Sequence, residues 1–455
     1  MCGIFGVANS AAAARIAYWG IRALQHRGQE SAGISATDGE VMRSHKTTGL
    51  VEQVFPEDEL RVLTGSTAIA HTRYSTAGDS VTDNAQPIIS DSKYGKLALG
   101  HNGNLINAGK VRAELVSHGA IFQSTSDSEV ILHLLARAQQ SQFVDALPEV
   151  LNRIGPAYSL VMLQGALLVG ARDPYGFRPL CLGRLDQSYI LASETTALDR
   201  INARYIREVE PGEIVIVKGD HLTSVRALET QSPAKCIFEH VYFARPDSVV
   251  FGRTVQSSRF RMGKGLAQEH PATADLVVPV PDSGVPAAVG YAEKSNIPFC
   301  LALIRDQYVG RSFITPGQKV RDSIADIKLT VIPELIAEKR VVLIDDSIVR
   351  ATTMRKIVAK LVAAGAKEVH VRIACPPTKS PCFYGIDTPT KKELIASHKT
   401  IEDIRKFIGA TTLGYLSLSG LEQAVRSERG EFCTTCYTGT YPTPLTPELQ
   451  ASLQL

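Results

Sequence analysis

The chain has 455 residues, 44% of them hydrophobic and 21% charged, with a formal net charge of +3. That is longer than one hydrophobic core usually organises and has the composition of an ordinary globular protein, so two domains are expected. No apolar run approaches the ~18 residues of a membrane span and no basic stretch leads into an apolar signal region, which argues for a reducing cytoplasm, while the weak, scattered positive charge argues against nucleic-acid binding.

The first element opens as Met1-Cys2-Gly3-Ile4-Phe5-Gly6-Val7, a cysteine ahead of a strand-like apolar run. Trimming of Met1, expected ahead of a small second residue, would leave a thiol and an α-amine of pKa roughly 7.7–8.0 on one residue. Such an amine can take the thiol proton directly or through a water. The same residues equally describe a cysteine that starts a buried strand. Up to about residue 230 the pattern is many short strands with two or three helices. It ends in a hairpin of Glu213-Ile-Val-Ile-Val-Lys218 and His221-Leu-Thr-Ser-Val about a Gly219-Asp220 turn. The polar segment Glu229–Lys235 then reads as a link, which divides the chain into domains at 2–230 and 231–455.

From about residue 255 strands alternate with helices. Asp275-Leu-Val-Val-Pro-Val280 and Arg340-Val-Val-Leu-Ile344 are continuous apolar runs of the kind found in buried parallel sheets. After the second, Met354, Ile357, Val358, Leu361 and Val362 are expected on one helical face, Gly365 as its C-cap, and Val369, Val371 and Ile373 in the next strand. Between strand and helix lies Asp345-Asp346-Ser347-Ile-Val-Arg350-Ala351-Thr352-Thr353. Ligands of open α/β sheets bind beyond the carboxyl ends of the strands, where the acid pair falls. Thr352 and Thr353 open a helix whose N-terminus favours a phosphate. The alternative is that the acids cap the helix and the threonines pack locally.

This segment resembles the phosphoribosyl pyrophosphate (PRPP) signature of type I phosphoribosyltransferases. The resemblance implies that Asp345 and Asp346 contact ribose hydroxyls and the Mg²⁺ region, and that Ser347, Arg350, Ala351, Thr352 and Thr353 grip the 5′-phosphate. It further implies a basic flap for pyrophosphate, for which Arg305-Asp-Gln-Tyr-Val-Gly-Arg311 through Lys319-Val-Arg321 is the candidate. Ser283, in Pro281-Asp-Ser-Gly-Val285, matches a contributor to the Mg²⁺ site.

With both ends read, the chain resembles the glutamine-dependent PRPP amidotransferases over nearly its full length. The blocks that carry the likeness in the first half are Cys2-Gly3-Ile4-Phe5-Gly6, His26-Arg27-Gly28-Gln29-Glu30-Ser31, His71-Thr72-Arg73-Tyr74-Ser75-Thr76, His101-Asn102-Gly103-Asn104 and Ser126-Asp127-Ser128-Glu129. The implied fold is an α+β N-terminal-nucleophile (Ntn) hydrolase sandwich followed by an α/β type I phosphoribosyltransferase domain with a mainly parallel sheet. Cys2 is then the nucleophile, and Asn102 and Gly103 form the oxyanion hole. Arg73 clamps the α-carboxylate of glutamine, Asp127 pairs with its α-ammonium, and Arg27 and Gly28 lie close to the nucleophile. His-Arg-Gly is also an ordinary helix-to-turn sequence. His26, His71 and His101 lack metal-ligand spacing and are expected to be structural.

Cys433-Thr-Thr-Cys436 suggests a metal or redox pair, and Cys236 with Cys382 could complete four thiolates for zinc or an iron–sulfur cluster. In the iron–sulfur branch of the family, cysteines at these four positions hold a [4Fe–4S] cluster, which the resemblance implies here in a structural role. Cys181, Cys300 and Cys375 are expected in the core. Further implications are a homotetramer and feedback inhibition by purine nucleotides. Three departures stand out: only Met1 precedes Cys2, so aminopeptidase alone should mature the chain; Val320–Leu329 is less basic than the family flap; and Ala351 replaces a common glycine, tolerable if its φ is negative. Two other readings compete: a hexosamine-synthase type of amidotransferase, which lacks an Asp345-Asp346 segment, and a nucleotide-sensing regulator on a phosphoribosyltransferase fold.

Overall fold

The computed structural model describes residues 1–74, 81–229, 231–306, 329–428 and 430–453. In the first half two antiparallel sheets face each other. One runs, in spatial order, Arg204–Glu208, Cys181–Leu185, Ser188–Ala192, Gly3–Ala8, Thr67–Arg73, Ser31–Thr37 and Met42–Thr48. The other runs His221–Arg226, Glu213–Lys218, Leu167–Arg172, Tyr158–Gln164, Gly95–Gly103 and Ile88–Ser92. Alternation along the first strand explains why it is buried on both faces. Ile4 and Ala8 enter the core between the sheets with Ile69, Val161 and Leu168. Phe5 and Val7 point the other way, beneath the helix Ala13–Ala23. Helices Ala108–Ser117, Glu129–Arg137 and Phe143–Arg153 cover the second sheet, giving four layers, helix–sheet–sheet–helix. This is the expected sandwich. It holds four helices of nine or more residues where two or three were expected; Pro148 inside Phe143–Arg153 masks one of them in the sequence. The Gly219-Asp220 hairpin forms as read, with Lys218 opposite His221 and Gly219 at φ 60°.

The second half is built on a parallel sheet ordered Leu276–Pro279, Arg340–Asp345, Glu368–Ile373, Thr412–Tyr415. The helix Thr352–Ala363 buries Met354, Ile357, Val358 and Leu361. Val362 does not join that face: it is 53% exposed, because a residue next to Leu361 is turned about 100° around the helix. Gly365 ends the helix at φ 90°. A short parallel pair, Lys235–Cys236 with Phe432–Cys433, ties the start of this half to the C-terminal segment.

Candidate active site

Cys2 is 7% exposed at the lip of the sandwich. Its backbone N–H donates to Asn102 Oδ1 at 3.1 Å, its thiol lies 3.6 Å from the Tyr74 carbonyl oxygen, and Arg27 Nε donates to the Cys2 carbonyl at 3.0 Å. Burial pushes the thiol above its ordinary value, against the pull of the neighbouring N-terminal ammonium. Asn102 lies next to last in the Gly95–Gly103 strand; its side-chain Nδ2 is buried and has no hydrogen-bond partner among the described residues. Leaving such a donor unpaired costs about 1–3 kcal/mol, so an arriving oxygen is welcome there. Gly103 has φ 154°, and a Cβ at this position would sit 2.0 Å from the Ala157 carbonyl oxygen, so only glycine fits.

Gly28 is required for a different reason: a Cβ would lie 2.5 Å from the carbonyl carbon of Arg73, so the turn packs flush against the strand end that carries Arg73. Arg73 is 3% exposed, with Nη1 3.6 Å from Glu30 Oε2. Asp127 accepts from Leu105 N at 2.9 Å and from Ser128 Oγ at 3.1 Å, which fixes its carboxylate 3.8 Å from His101 Nδ1. The three histidines are held by protein groups. His26 Nε2 is 2.8 Å from Glu194, His71 Nε2 is 3.0 Å from the His101 carbonyl, and His101 Nδ1 is 2.8 Å from Ser128 Oγ. Burial drives the His71 pKa down to about 3, so it is neutral at working pH.

Behind Cys2 lies a buried ionic network that motif reading missed. The Arg27 guanidinium is bonded to Glu194 and reaches Glu239 at 3.0 and 2.8 Å. Glu194 also accepts from Ser248 Oγ at 2.6 Å and Arg245 N at 3.0 Å, and these cations and donors hold its carboxyl far below the usual range despite burial. Arg178 lies 3.6 Å from Glu239 and donates to the Tyr384 carbonyl at 2.8 Å. Met1 is fully buried against Arg27 and Arg178. The available signal was a lone acid in the apolar run Phe238-Glu239-His240-Val241: a buried charge needs a partner somewhere in the fold.

In the second half, Asp345 and Asp346 stand at the carboxyl end of the strand Arg340–Asp345, in the middle of the parallel sheet. Asp346 is 6% exposed and accepts from Ser347 Oγ at 2.5 Å. Burial pushes the Asp346 carboxyl up, countered by hydrogen bonds from Ser283 and Ser347 and by the nearby Arg259 cation. Asp345 is driven higher, by burial and by Asp346, and receives the Asp346 N–H at 2.9 Å. Thr352 and Thr353 are exposed at the helix N-terminus. Arg350 pairs with Glu393 at 2.8 Å, and Arg305 with Asp282 at 2.6 Å on the loop that carries Ser283. The condition set for Ala351 is not met: its φ is 61°, in the left-handed region. A Cβ there costs roughly 1–2 kcal/mol. The flap residues Arg311, Lys319 and Arg321, with most of Val320–Leu329, and Ser75 and Thr76 of the first half, lie outside the described residues.

Cys236 and Cys433 are direct neighbours in the parallel pair, and Cys382 and Cys433 pack on the same small core of Ala157, Phe177, Ala234 and Tyr384. The Cys436 carbonyl accepts from the backbone of Lys379 and Ser380. Burial, reinforced by the other thiols of the group, pushes Cys236 up to about 12 and Cys433 to about 11 and also raises Cys436 well above its ordinary value. The four thiols thus share one buried neighbourhood at the junction of the halves. Among the described residues, no three Cys, His, Asp or Glu side chains converge closely enough to hold one metal ion. Cys181 and Cys375 are buried and Cys300 is half-buried.

A glutamine amidotransferase domain family matches residues 71–200, and a phosphoribosyl transferase domain family residues 260–406. The chain is 45% identical over 449 residues to the amidophosphoribosyltransferase of Bacillus subtilis, covering 98% of this chain and 94% of the relative. It is 47% identical over 443 residues to the chloroplastic amidophosphoribosyltransferase of Glycine max (97% and 78%) and 44% identical over 448 residues to that of Archaeoglobus fulgidus (97% and 98%). Among solved structures it superposes, with a TM-score of 0.93, on the glutamine PRPP amidotransferase of B. subtilis complexed with ADP and GMP, at 45% identity and 98% coverage of both chains. No helix among the described residues is long and apolar enough to cross a membrane.

Proposed function

The chain belongs to the amidophosphoribosyltransferase family, whose reaction moves glutamine-derived ammonia onto PRPP in the first step of purine nucleotide synthesis, and we propose which of its residues do so. Cys2 Sγ attacks the side-chain amide carbon of glutamine. The oxyanion that forms is met by Asn102 Nδ2 and the Gly103 N–H, the α-amine freed by loss of Met1 carries the thiol proton to the leaving nitrogen, and water clears the thioester to glutamate. Arg73 takes the α-carboxylate and Asp127 the α-ammonium, with Arg27 and Gly28 fixing the walls. The observation that carries this reading is Asn102: one end of its amide holds the Cys2 backbone while the other is buried with no partner among the described residues.

Ammonia passes within the protein to PRPP, where it bonds to C1 of the ribose as the C1–O bond to pyrophosphate breaks. Asp345, Asp346 and Ser283 form a hard oxygen set suited to Mg²⁺; two buried carboxyls that resist ionisation are what a divalent cation relieves. When bound, Mg²⁺ would neutralise charge developing on the pyrophosphate. Ser347, Arg350, Ala351, Thr352 and Thr353 would hold the 5′-phosphate, and Arg305 the pyrophosphate side. Cys236, Cys382, Cys433 and Cys436, gathered at the junction of the halves, would hold a [4Fe–4S] cluster, with zinc the other metal that four thiolates suit. The cluster would cross-link the junction. Anaerobic purification yielding stoichiometric zinc without iron or sulfide would refute it.

We further propose domains at 2–230 and 231–455, a cytoplasmic homotetramer, and inhibition by purine nucleotides, the last supported by the ADP and GMP of the B. subtilis relative. Full-length relatives of one activity and the matched phosphoribosyl transferase domain remove the hexosamine-synthase and regulator readings. A glutaminase assay with and without PRPP and Mg²⁺ tests the coupling: PRPP should stimulate, and stimulation by a hexose phosphate instead would overturn it.

A further inference from the structure

The glutaminase pocket meets the other half of the chain. A segment of the phosphoribosyltransferase half, residues 382–388, lies against it and is held at several points. Tyr384 is 1% exposed, stacks on Phe177 with ring centroids 4.2 Å apart, donates to or accepts from Thr443 Oγ1 at 2.8 Å, and receives Arg178 on its carbonyl. Thr388 Oγ1 accepts the Cys382 N–H at 2.7 Å, closing the segment into a compact loop.

From this anchored loop three contacts reach the glutamine site. Asn104, next to the oxyanion pair, donates from Nδ2 to the Phe383 carbonyl at 2.9 Å. Asp387 accepts the Tyr74 hydroxyl at 3.5 Å, and Tyr74 supplies the carbonyl that faces the Cys2 thiol. Between them Gly385, at φ 103°, lies flush on Gly103: a Cβ there would stand 2.9 Å from the Gly103 carbonyl carbon and 3.0 Å from its Cα. Gly103 is pinned on its other side by Ala157. It therefore has no room to yield.

We propose that residues 382–388 are a wall of the glutaminase site and that Gly385 is a positioning residue for the oxyanion hole. The proposal rests on the reading of Asn102 and Gly103 as the oxyanion donors. Hydrogen bonds weaken steeply with misalignment, so a methyl group that shifts the Gly103 N–H by a few tenths of an ångström lowers the rate of thioester formation without touching glutamine's α-groups. Glutamine hydrolysis is then a property of the two-domain chain.

The test is Gly385→Ala in the full-length, Met1-processed enzyme. The expected result is a fall in kcat for glutamine hydrolysis of at least about tenfold, toward the ~10²-fold of a lost oxyanion donor, with KM for glutamine within about threefold. Ammonia-dependent synthesis from PRPP and the rate of Cys2 alkylation by iodoacetamide should stay at wild-type values, which a general loss of structure would not permit. Because φ at 385 disfavours any side chain, Asn104→Ala serves as a second variant: it removes the Phe383 contact with no added bulk and should lower the same kcat, less severely. Wild-type glutaminase kcat in both variants overturns the proposal, as does an equal fall of the glutamine and ammonia activities. Asn102→Ala, measured in parallel, separates the layers. If it abolishes glutaminase while Gly385→Ala and Asn104→Ala keep wild-type kcat, the wall falls and the oxyanion reading stands; if it is fully active, the oxyanion reading falls.

Discussion

Around Cys2, the side chains of Arg27, His71 and His101 are buried and hydrogen-bonded within the protein, and Asn102 is buried with its Nδ2 unpaired among the described residues. Around Asp345, the groups that would receive a phosphorylated sugar, Arg305, Arg350, Thr352 and Thr353, stand exposed, with Asp346 buried and Asp345 half-buried at the sheet end. The contrast follows the chemistry. Amide hydrolysis builds charge on one oxygen and gains from donors fixed beforehand. PRPP brings its own charges and, with its cation, supplies the partners that order the cradle around it.

The strongest way to break this comparison is to show that the two centres cannot be separated. Cys2→Ala should reduce glutamine-dependent synthesis to background while ammonia-dependent synthesis at high pH persists; equal loss of both would mean that the centres are one. Next in size is Glu239→Ala, which strips the buried partner from Arg27 and Arg178. Uncompensated buried charge of this kind costs about 3–5 kcal/mol, so thermal unfolding should move down by several degrees, whereas Arg350→Ala, which breaks an exposed pair, should leave it nearly unchanged. Calorimetry of the two variants decides it.

The pH dependence sharpens the contrast. Burial lowers His71 and His240 to pKa values of about 3, below the ~6.5 of an unfolded histidine. Between those values the unfolded chain binds more protons, so these residues contribute stability that is complete above about pH 6.5 and is lost progressively as pH falls toward 3. His71→Gln should flatten the acid limb of a plot of Tm against pH. The smallest expected effect is at the open centre: Ala351→Gly relieves a left-handed Cβ but frees the unfolded chain, for a net gain of roughly 0.5–1 kcal/mol, read as a small rise in Tm.

Motif chemistry singled out Cys2, Asn102, Gly103 and the acid pair for the proposed site, because a nucleophile, an oxyanion donor and a strand-end carboxylate each demand particular residue types within a few positions. The strand Arg340–Asp345 and its following helix were legible for a similar reason, since apolar runs and helical periodicity are local. The junction was not. Arg27 and Glu239 are 212 residues apart in the chain, and nothing near either one announces the other. Gly385 illustrates the same limit: its need for glycine comes from Gly103, a residue of the other half. The left-handed φ of Ala351 was not legible, because the sign of φ at a strand-to-helix turn is decided by how the two elements meet, which composition does not carry.

The pairing of Lys235–Cys236 with Phe432–Cys433 also sets an order of events on the ribosome. Lys235 and Glu431, its ion-pair partner, are 196 residues apart in the chain. At translation rates of ~5–20 residues per second, the amino-terminal sandwich emerges about 10–40 s before the strand that closes the junction. On the proposed reading the nascent chain carries Cys2 through that interval without a finished pocket around it, and would spare glutamine until the half that receives the nitrogen has been made.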